Sequence, residues 1–265
     1  SDILLTIIVF SIFVAGCLIM NLLLGMVILL PLPARNKKLI MHRCMVFWCK
    51  VPVYAMLHIR KKVINPDGED FSRPAIIISN HQSHIDLLLL LMLHPKMIVL
   101  TTKWVWNNPI YALVIRYLDY YPVLGGYEEL TDKLKAKINE GYSILVFPEG
   151  SRSADSTIRR FHKGAFLMAE KLGLDMIPIF LHGAGDCMNK GENHLRGGAI
   201  TVKIYPRVRV GDKAYGADYH ERTKWMLAFY RREYAILKEE LETPDYFRKK
   251  LIRNYIYKGP VLEWY

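Results

Sequence analysis

Cysteine is scarce in this chain, and its placement excludes more than its number does. The four cysteines are Cys17, Cys44, Cys49 and Cys187. Their spacing matches neither a zinc knuckle nor a Cys-x-x-Cys redox pair. Three lie in apolar surroundings near the N-terminus, which points to a reducing compartment. Nothing in the pattern suggests a structural metal. Other signals are missing too. There is no Gly-x-Ser-x-Gly nucleophile elbow, which counts against a serine hydrolase. "GAGDCM" at 183–188 lacks the third glycine of a dinucleotide-binding turn. The chain carries no internal repeat, no low-complexity tract and no recognisable DNA- or RNA-binding signature.

Negative charge is the other shortage. Against 36 Lys and Arg stand 25 acidic residues, a net charge of +11 over 265 residues. That excess favours an anionic partner: a membrane surface, an acidic carrier or nucleic acid, the last without any motif to support it. Hydrophobic residues are abundant at 52%, enough for a sizeable core. The chain opens on Ser1 and closes on "LEWY". Without a starting methionine or a polar tail, it reads as a piece of a longer protein.

Between Ile3 and Leu30 no charge occurs, and Thr6, Ser11 and Asn21 are the polar exceptions. As a helix this stretch would be ~42 Å long, more than the ~30 Å of a hydrocarbon core. It is too long for a signal peptide, and Asp2 sits where such a peptide needs positive charge. The spacing predicts a membrane helix. A buried helix, or one half of a hairpin dipping into one leaflet, is the alternative. Arg35, Lys37 and Lys38 follow, which places the C-terminal side in the cytoplasm. Leu39 to His58 is a second apolar segment with Arg43 and Lys50 on one helical face and with Trp48 and Tyr54. It reads as an interfacial amphipathic helix, or else as a second buried one.

Beyond it, short apolar runs rich in branched residues recur at 59–64, 75–79, 97–101, 143–147, 176–181 and 199–204. Each has strand length. Helical patterns alternate with them, clearest over Glu129 to Glu140, with Gly141 as its stop, and over Lys163 to Leu172. The expected fold is α/β, with a mixed, largely parallel sheet flanked by helices. Residues 103–121, rich in Trp and Tyr, offer a further interfacial contact. Near the end Met226, Tyr230, Tyr234, Leu237 and Leu241 make a helical stripe, and "TPDY" restarts a helix with Thr243 as cap. The expected organisation is membrane-anchoring helices over 1–58, a catalytic domain over 59–212 and a helical extension over 213–265.

Two loops carry chemistry. "SNHQSHID", residues 79–86, follows the strand at 75–79, where chemistry collects in open α/β sheets. His81 and Asp86 span a strand-to-helix turn. An aspartate bonded to one imidazole nitrogen fixes the tautomer and leaves the other nitrogen free to take a proton, which equips a general base. Asp86 could equally cap the following helix. "FPEGSRS", Phe147 to Ser153, also follows a strand. Gly150 permits close backbone approach to a ligand, and Arg152 supplies a planar fork suited to phosphate. "FHKGAF" comes soon after, with Lys163.

Together "NHQSHID" and "FPEGSRS…FHKGAF" resemble the glycerolipid acyltransferases, the lysophosphatidic acid acyltransferase group, whose signature is Asn-His-x-x-x-x-Asp followed by Phe-Pro-Glu-Gly-Thr/Ser-Arg-Ser. The resemblance runs from about Ile59 to Val210 and takes in Lys103, Pro178 and "RGGAITVKIYPRV". It implies an acyltransferase fold and a one-step transfer from an acyl thioester to an alcohol. By resemblance His81 is the base and Asp86 its orienting partner. Asn80 shapes the turn, Glu149 positions the acceptor, and Gly150 with its neighbours offers backbone N–H groups to an oxyanion. Arg152 holds a phosphate, and Ser151, Lys103 and Lys163 complete the substrate-binding set. His84 lies outside the signature. No cofactor or metal is implied; acyl-CoA or acyl carrier protein serves as co-substrate, membrane lipids are the partners, and nucleic acid is not. The expected location is a bacterial-type inner membrane with the catalytic domain on the cytoplasmic side. One departure stands out. Gly125 occupies the position where the family often carries an arginine that helps hold the acceptor phosphate. Arg159, Arg160, Lys163 or Arg196 could substitute, or the acceptor is another lysolipid or a hydroxylated lipid. A hydrolase on the same scaffold is the competing activity, with Ser83 and Ser151 as candidate nucleophiles or with water as the acceptor in place of either.

Overall fold

The computed structural model describes residues 2–123 and 128–246. The expectations for Gly125 and for the stretch beyond 246 therefore lie outside the described residues. In chain order the elements are α1 (Asp2–Leu29), α2 (Ala34–Ala55), β1 (Ile59–Ile64), β2 (Ile76–Ser79), α3 (Ile85–Leu91) and β3 (Met97–Thr101). Then come α4 (Lys103–Trp106), α5 (Ala112–Tyr117), β4 (Tyr121–Pro122), α6 (Glu128–Asn139), β5 (Ser143–Val146) and α7 (Gly164–Leu172). The last are β6 (Met176–His182), α8 (Ala184–Cys187), β7 (Gly198–Ile204) and α9 (Tyr219–Leu241).

Among the described residues the strands form one seven-stranded sheet in the order β1-β7-β6-β2-β5-β3-β4. All neighbours pair in parallel except β6 and β7. The central strands β2, β5 and β6 are buried at every position, which is why they read in the sequence as unbroken apolar runs rather than as alternations. Their Cβ-branched residues suit a pleated surface packed on both faces. The mixed, largely parallel sheet flanked by helices is thus as expected. The one strand not anticipated is β4, two residues long at the sheet edge and too short to carry a periodic signal. The end of α6 follows its glycine: Gly141 adopts φ +90° and its N–H donates to Ile138.

One buried cluster runs from Val9 in α1 to Leu237 in α9. The first two helices are therefore not a free-standing anchor. α1 packs on α2 and α5, and α2 packs on α3. The polar exceptions in α1 do the docking: Asn21 Nδ2 donates to the Ile110 carbonyl at 2.8 Å, and Thr6 Oγ1 accepts from Leu195 N at 2.9 Å. Two contacts fifteen residues apart are separated by roughly 22 Å along the helix axis, so α1 lies along the catalytic domain over most of its length. Its other face is apolar and open, with Leu22 70% and Leu29 84% exposed. α2 buries Met41, Cys49 and Val53 and turns Arg43, Phe47, Lys50 and Tyr54 outward. The 103–121 stretch divides: Trp104 and Leu113 are exposed, whereas Val114, Leu118 and Tyr120 are core.

Candidate active site

Both chemistry-bearing loops leave the carboxyl ends of adjacent strands, β2 and β5. The sheet therefore brings residues 79–86 and 147–153 side by side, although the chain separates them widely.

Asp86 is fully buried in the first turn of α3 and folds its carboxylate back over the loop. Its Oδ2 accepts from His81 Nδ1 at 2.8 Å, from Gln82 N at 2.6 Å and from Ser83 N at 2.8 Å. Asp86 thus does not cap the following helix, since it lies within α3 and its donors precede the helix; the oxygen that gathers the N–H groups of Gln82 and Ser83 is the one that faces the imidazole. With Nδ1 donating, Nε2 is the nitrogen available to a ligand. The ring stacks on Phe147, centroids 4.1 Å apart and 18° from parallel. Asn80 is buried and makes a two-way clasp with Leu181 of β6: Nδ2 donates to the carbonyl at 2.9 Å, and Oδ1 accepts from the N–H at 2.8 Å. It fastens the turn to β6.

Glu149 ties the loops together. Its Oε1 accepts from His81 N at 3.0 Å and its Oε2 from Arg159 N at 3.1 Å. Burial pushes the carboxyl up to about 7 against the pull of these two N–H groups. The His81 carbonyl in turn accepts from Ser153 N at 2.7 Å. Both oxygens of Glu149 are thus engaged by backbone, and the residue does not line the cavity described below.

Gly150 adopts φ +68°, a conformation a side chain strains. Its own N–H is spent on the Phe147 carbonyl at 3.1 Å. Left available in this turn are the N–H groups of its neighbours Ser151 and Arg152. Arg159 Nη1 donates to Ser151 Oγ and, at 3.4 Å, to the Arg152 carbonyl, bracing the turn from outside. Arg152 Nη1 is buried and has no hydrogen-bond partner, and Asp86 acts on the guanidinium electrostatically.

A cavity of about 930 Å³ opens beside the loops. Its polar end holds His81, His84, Gly150, Ser151 and Arg152, with Lys103 and Lys190 also lining it. Burial and then the Arg152 charge push the His84 imidazole below its usual range. The rest is apolar, walled by Phe13, Cys17 and Met20 of α1, Trp48 and Cys49 of α2, and Leu88 and Leu91 of α3. The sequence reading puts α1 in the membrane and Trp48 at its interface, with burial as the alternative for each, and does not identify them as the wall of this cavity. Periodicity shows which face of a helix is apolar, not what that face meets. Lys190 was also missed; it comes from the loop after α8 and has no motif around it.

The structure brings together His81, Asp86, Lys103, Gly150, Ser151 and Arg152, supported by Asn80 and Glu149. Lys163 stands outside the lining, its Nζ 2.7 Å from His220 Nδ1. Of the cations considered in place of the missing arginine, Arg159 braces the turn and Arg196 pairs with Glu192. Neither they nor Arg160 line the cavity. Ser83 Oγ donates to the Met188 carbonyl at 2.7 Å in full burial, and Ser151 Oγ accepts from Arg159. Neither hydroxyl is bonded to His81, as an activated nucleophile would be.

Residues 55–182 match the family model described as Acyltransferase. The chain is 30% identical over 173 residues to the chloroplastic 1-acyl-sn-glycerol-3-phosphate acyltransferase LPAT1 of Arabidopsis thaliana, covering 63% of this chain and 48% of that protein. It is 31% identical over 163 residues to a 1-acyl-sn-glycerol-3-phosphate acyltransferase of Chlamydomonas reinhardtii, with coverage of 58% and 47%. The chain spans about half the length of these curated relatives. Its fold is similar to the crystal structure of the 1-acyl-sn-glycerophosphate (LPA) acyltransferase PlsC from Thermotoga maritima, with TM-score 0.78, 22% identity and coverage of 89% of this chain and 96% of that one. The two paired motifs, the sheet that juxtaposes them and these similarities agree: residues 55–182 match the Acyltransferase family, and the chain is similar in sequence and fold to the glycerolipid acyltransferases.

Proposed function

We propose that this protein moves a fatty acyl group from an acyl thioester, of coenzyme A or acyl carrier protein, to the hydroxyl of a lysophospholipid such as 1-acylglycerol-3-phosphate. The observation that carries this reading is the His81–Asp86 pair at the polar end of a large, otherwise apolar cavity.

The acceptor hydroxyl donates its proton to His81 Nε2 as its oxygen attacks the thioester carbonyl. Asp86 holds the imidazole in the required tautomer and stabilises the imidazolium that forms. Negative charge develops on the carbonyl oxygen, where the Ser151 and Arg152 N–H groups are the available donors. Collapse of the intermediate breaks the carbon–sulfur bond, and the thiolate recovers the proton from His81. No acyl-enzyme is formed, in keeping with the engagement of both candidate serines elsewhere. The step as written draws on no cofactor beyond the thioester. Arg152, whose Nη1 lacks a partner, holds a phosphate, joined by Lys103 and Lys190 from the same lining. The apolar walls take acyl chain.

The same geometry supports a membrane location. α1 is long and apolar enough to cross a bilayer, yet it is bonded to the catalytic domain at Thr6 and Asn21. A helix held so closely carries the domain with it. This favours the hairpin reading, in which α1 and α2 enter one leaflet with the basic and aromatic face of α2 at its surface. The cavity wall is then continuous with the lipid that supplies the acceptor.

Lipid mass spectrometry after incubation with a panel of lysolipids and both thioesters tests the proposal. The expected product is a diacyl phospholipid formed from 1-acylglycerol-3-phosphate. Thioester consumption without acylated lipid would establish a hydrolase instead.

A further inference from the structure

Helix α9 lies outside both motifs, yet Tyr234 reaches the catalytic turn and Tyr230 the strands that carry it. Tyr230 OH donates to the Ile78 carbonyl at 2.7 Å and accepts from Ile179 N at 3.2 Å, fastening the end of β2 to β6. One helical turn later, Tyr234 OH accepts from Gln82 Nε2. Gln82 is 1% exposed and its Nε2 also donates to the Ser156 carbonyl at 3.3 Å, in the loop beyond the second motif. Its Oε1 is buried with no partner. The hydrogen bonds that orient the Gln82 side chain are thus the two its amide nitrogen donates. The backbone N–H of the same residue donates to the Asp86 oxygen that receives His81 Nδ1.

We propose that Tyr234 is a positioning residue for the catalytic pair, acting through Gln82 on Asp86 and His81. The inference rests on the acyl-transfer reading of His81, but its structural part stands apart from that reading. A histidine five residues from its aspartate, on a turn between a short strand and a short helix, has few backbone bonds to hold it. Asn80 and Glu149 secure the turn at residues 80 and 81, and the Tyr234–Gln82 bond secures residue 82 from the opposite side. Displacements of about an ångström at a reacting group can lower rates by up to ~10². A helix packed beneath the sheet thereby sets the geometry of chemistry above it.

The test compares Tyr234→Phe, Gln82→Met and the double variant in the full chain, with Tyr230→Phe as the control for loss of a buried tyrosine hydroxyl from the same helix. Tyr234→Phe is expected to lower kcat about tenfold with KM within about twofold, the range such displacements produce. The downfield proton resonance of His81 Nδ1–H should broaden or shift. Gln82→Met should do the same, and the double variant should be no worse than either single one. Tyr230→Phe should lower Tm and leave the resonance in place. Unchanged kcat and resonance in Tyr234→Phe, losses that multiply in the double variant, or a kcat loss that only follows Tm as in Tyr230→Phe would each overturn the proposal. If the resonance moves while His81→Ala retains full transfer, positioning holds and the acyl-transfer role of His81 fails instead.

Discussion

The backbone N–H of His81 donates to Glu149 Oε1 at 3.0 Å, across 68 positions of the chain. This bond joins the two motifs at the residue that performs the proposed proton transfer. Strand pairing of β2 with β5 brings the loops together, and the carboxylate fixes their separation by gripping one N–H from each side. The polar character of both loops is thus only partly about substrate; much of it is spent holding one loop against the other.

Replacing His81 with Ala removes the proton acceptor. Turnover in acyl transfer should fall by roughly 10² to 10⁴, the usual worth of general acid–base catalysis. The purified variant should retain its Tm, because the ring is at the cavity wall. Steady-state kinetics and thermal unfolding in the same detergent check this, and near-normal turnover would remove His81 from the mechanism.

Glu149→Gln turns one oxygen into a donor facing another donor, leaving a buried N–H unsatisfied. The expected cost is about 1–3 kcal/mol of stability, with a loss of kcat. A pH effect follows as well. Burial holds the carboxyl up to about 7, above its ordinary 4.5. The folded state therefore binds more protons than the unfolded one between those values. The Glu149 contribution to stability is fully present below the unfolded pKa and is lost as pH rises through the folded one. Thermal unfolding from about pH 5 to about pH 7 should show a decline in wild type that Glu149→Gln flattens; equal slopes would refute the assignment.

Arg152→Ala should chiefly raise KM for the phosphate-bearing substrate, by about tenfold to a hundredfold, since a charge-assisted bond contributes roughly 1.5–3 kcal/mol. Titrating acceptor and donor separately identifies which phosphate it holds. An unchanged KM for both would make the buried guanidinium structural.

In Gly150→Ala, a Cβ would be forced onto φ +68° and would sit 3.1 Å from the His162 ring. Left-handed backbone costs a non-glycine residue about 1–2 kcal/mol. The turn should relax away from that conformation and carry the Ser151 and Arg152 N–H groups with it. A kcat reduction with little change in KM is expected, and full activity would show that these N–H groups do not face the reacting carbonyl.

Asn21→Leu makes α1 more apolar while deleting its bond to the Ile110 carbonyl. Vesicle sedimentation should show undiminished membrane binding. Activity should fall nonetheless, because a hydrogen bond of about 1 kcal/mol no longer holds the helix as a cavity wall. Unaltered activity would mean that α1 anchors the chain without shaping the site.

The centre of the sheet was legible in the sequence, because strands buried on both faces must be apolar throughout and of limited length, as β2, β5 and β6 are; β1, half exposed with Arg60, Lys61 and Lys62, showed itself by its length and branched residues instead. The sequence also singled out the residues proposed for the chemistry: His81, Gly150 and Arg152 sit in loops, and Asp86 at the start of α3, where such residue types make little sense as core. Local spacing sufficed for these. What it could not determine were relations between distant segments. That α1 and Trp48 wall the cavity, that both oxygens of Glu149 are taken by backbone, that the Gly150 N–H is already spent, and that Tyr234 supports Gln82 are decided by packing. The physical reason is common to all four. An apolar helix face satisfies lipid and protein alike, and a hydrogen-bonding group in a sequence carries no mark of its partner. Only the folded arrangement, which brings β2 against β5 and lays α1 along the domain, assigns each of these groups the neighbour that gives it a role.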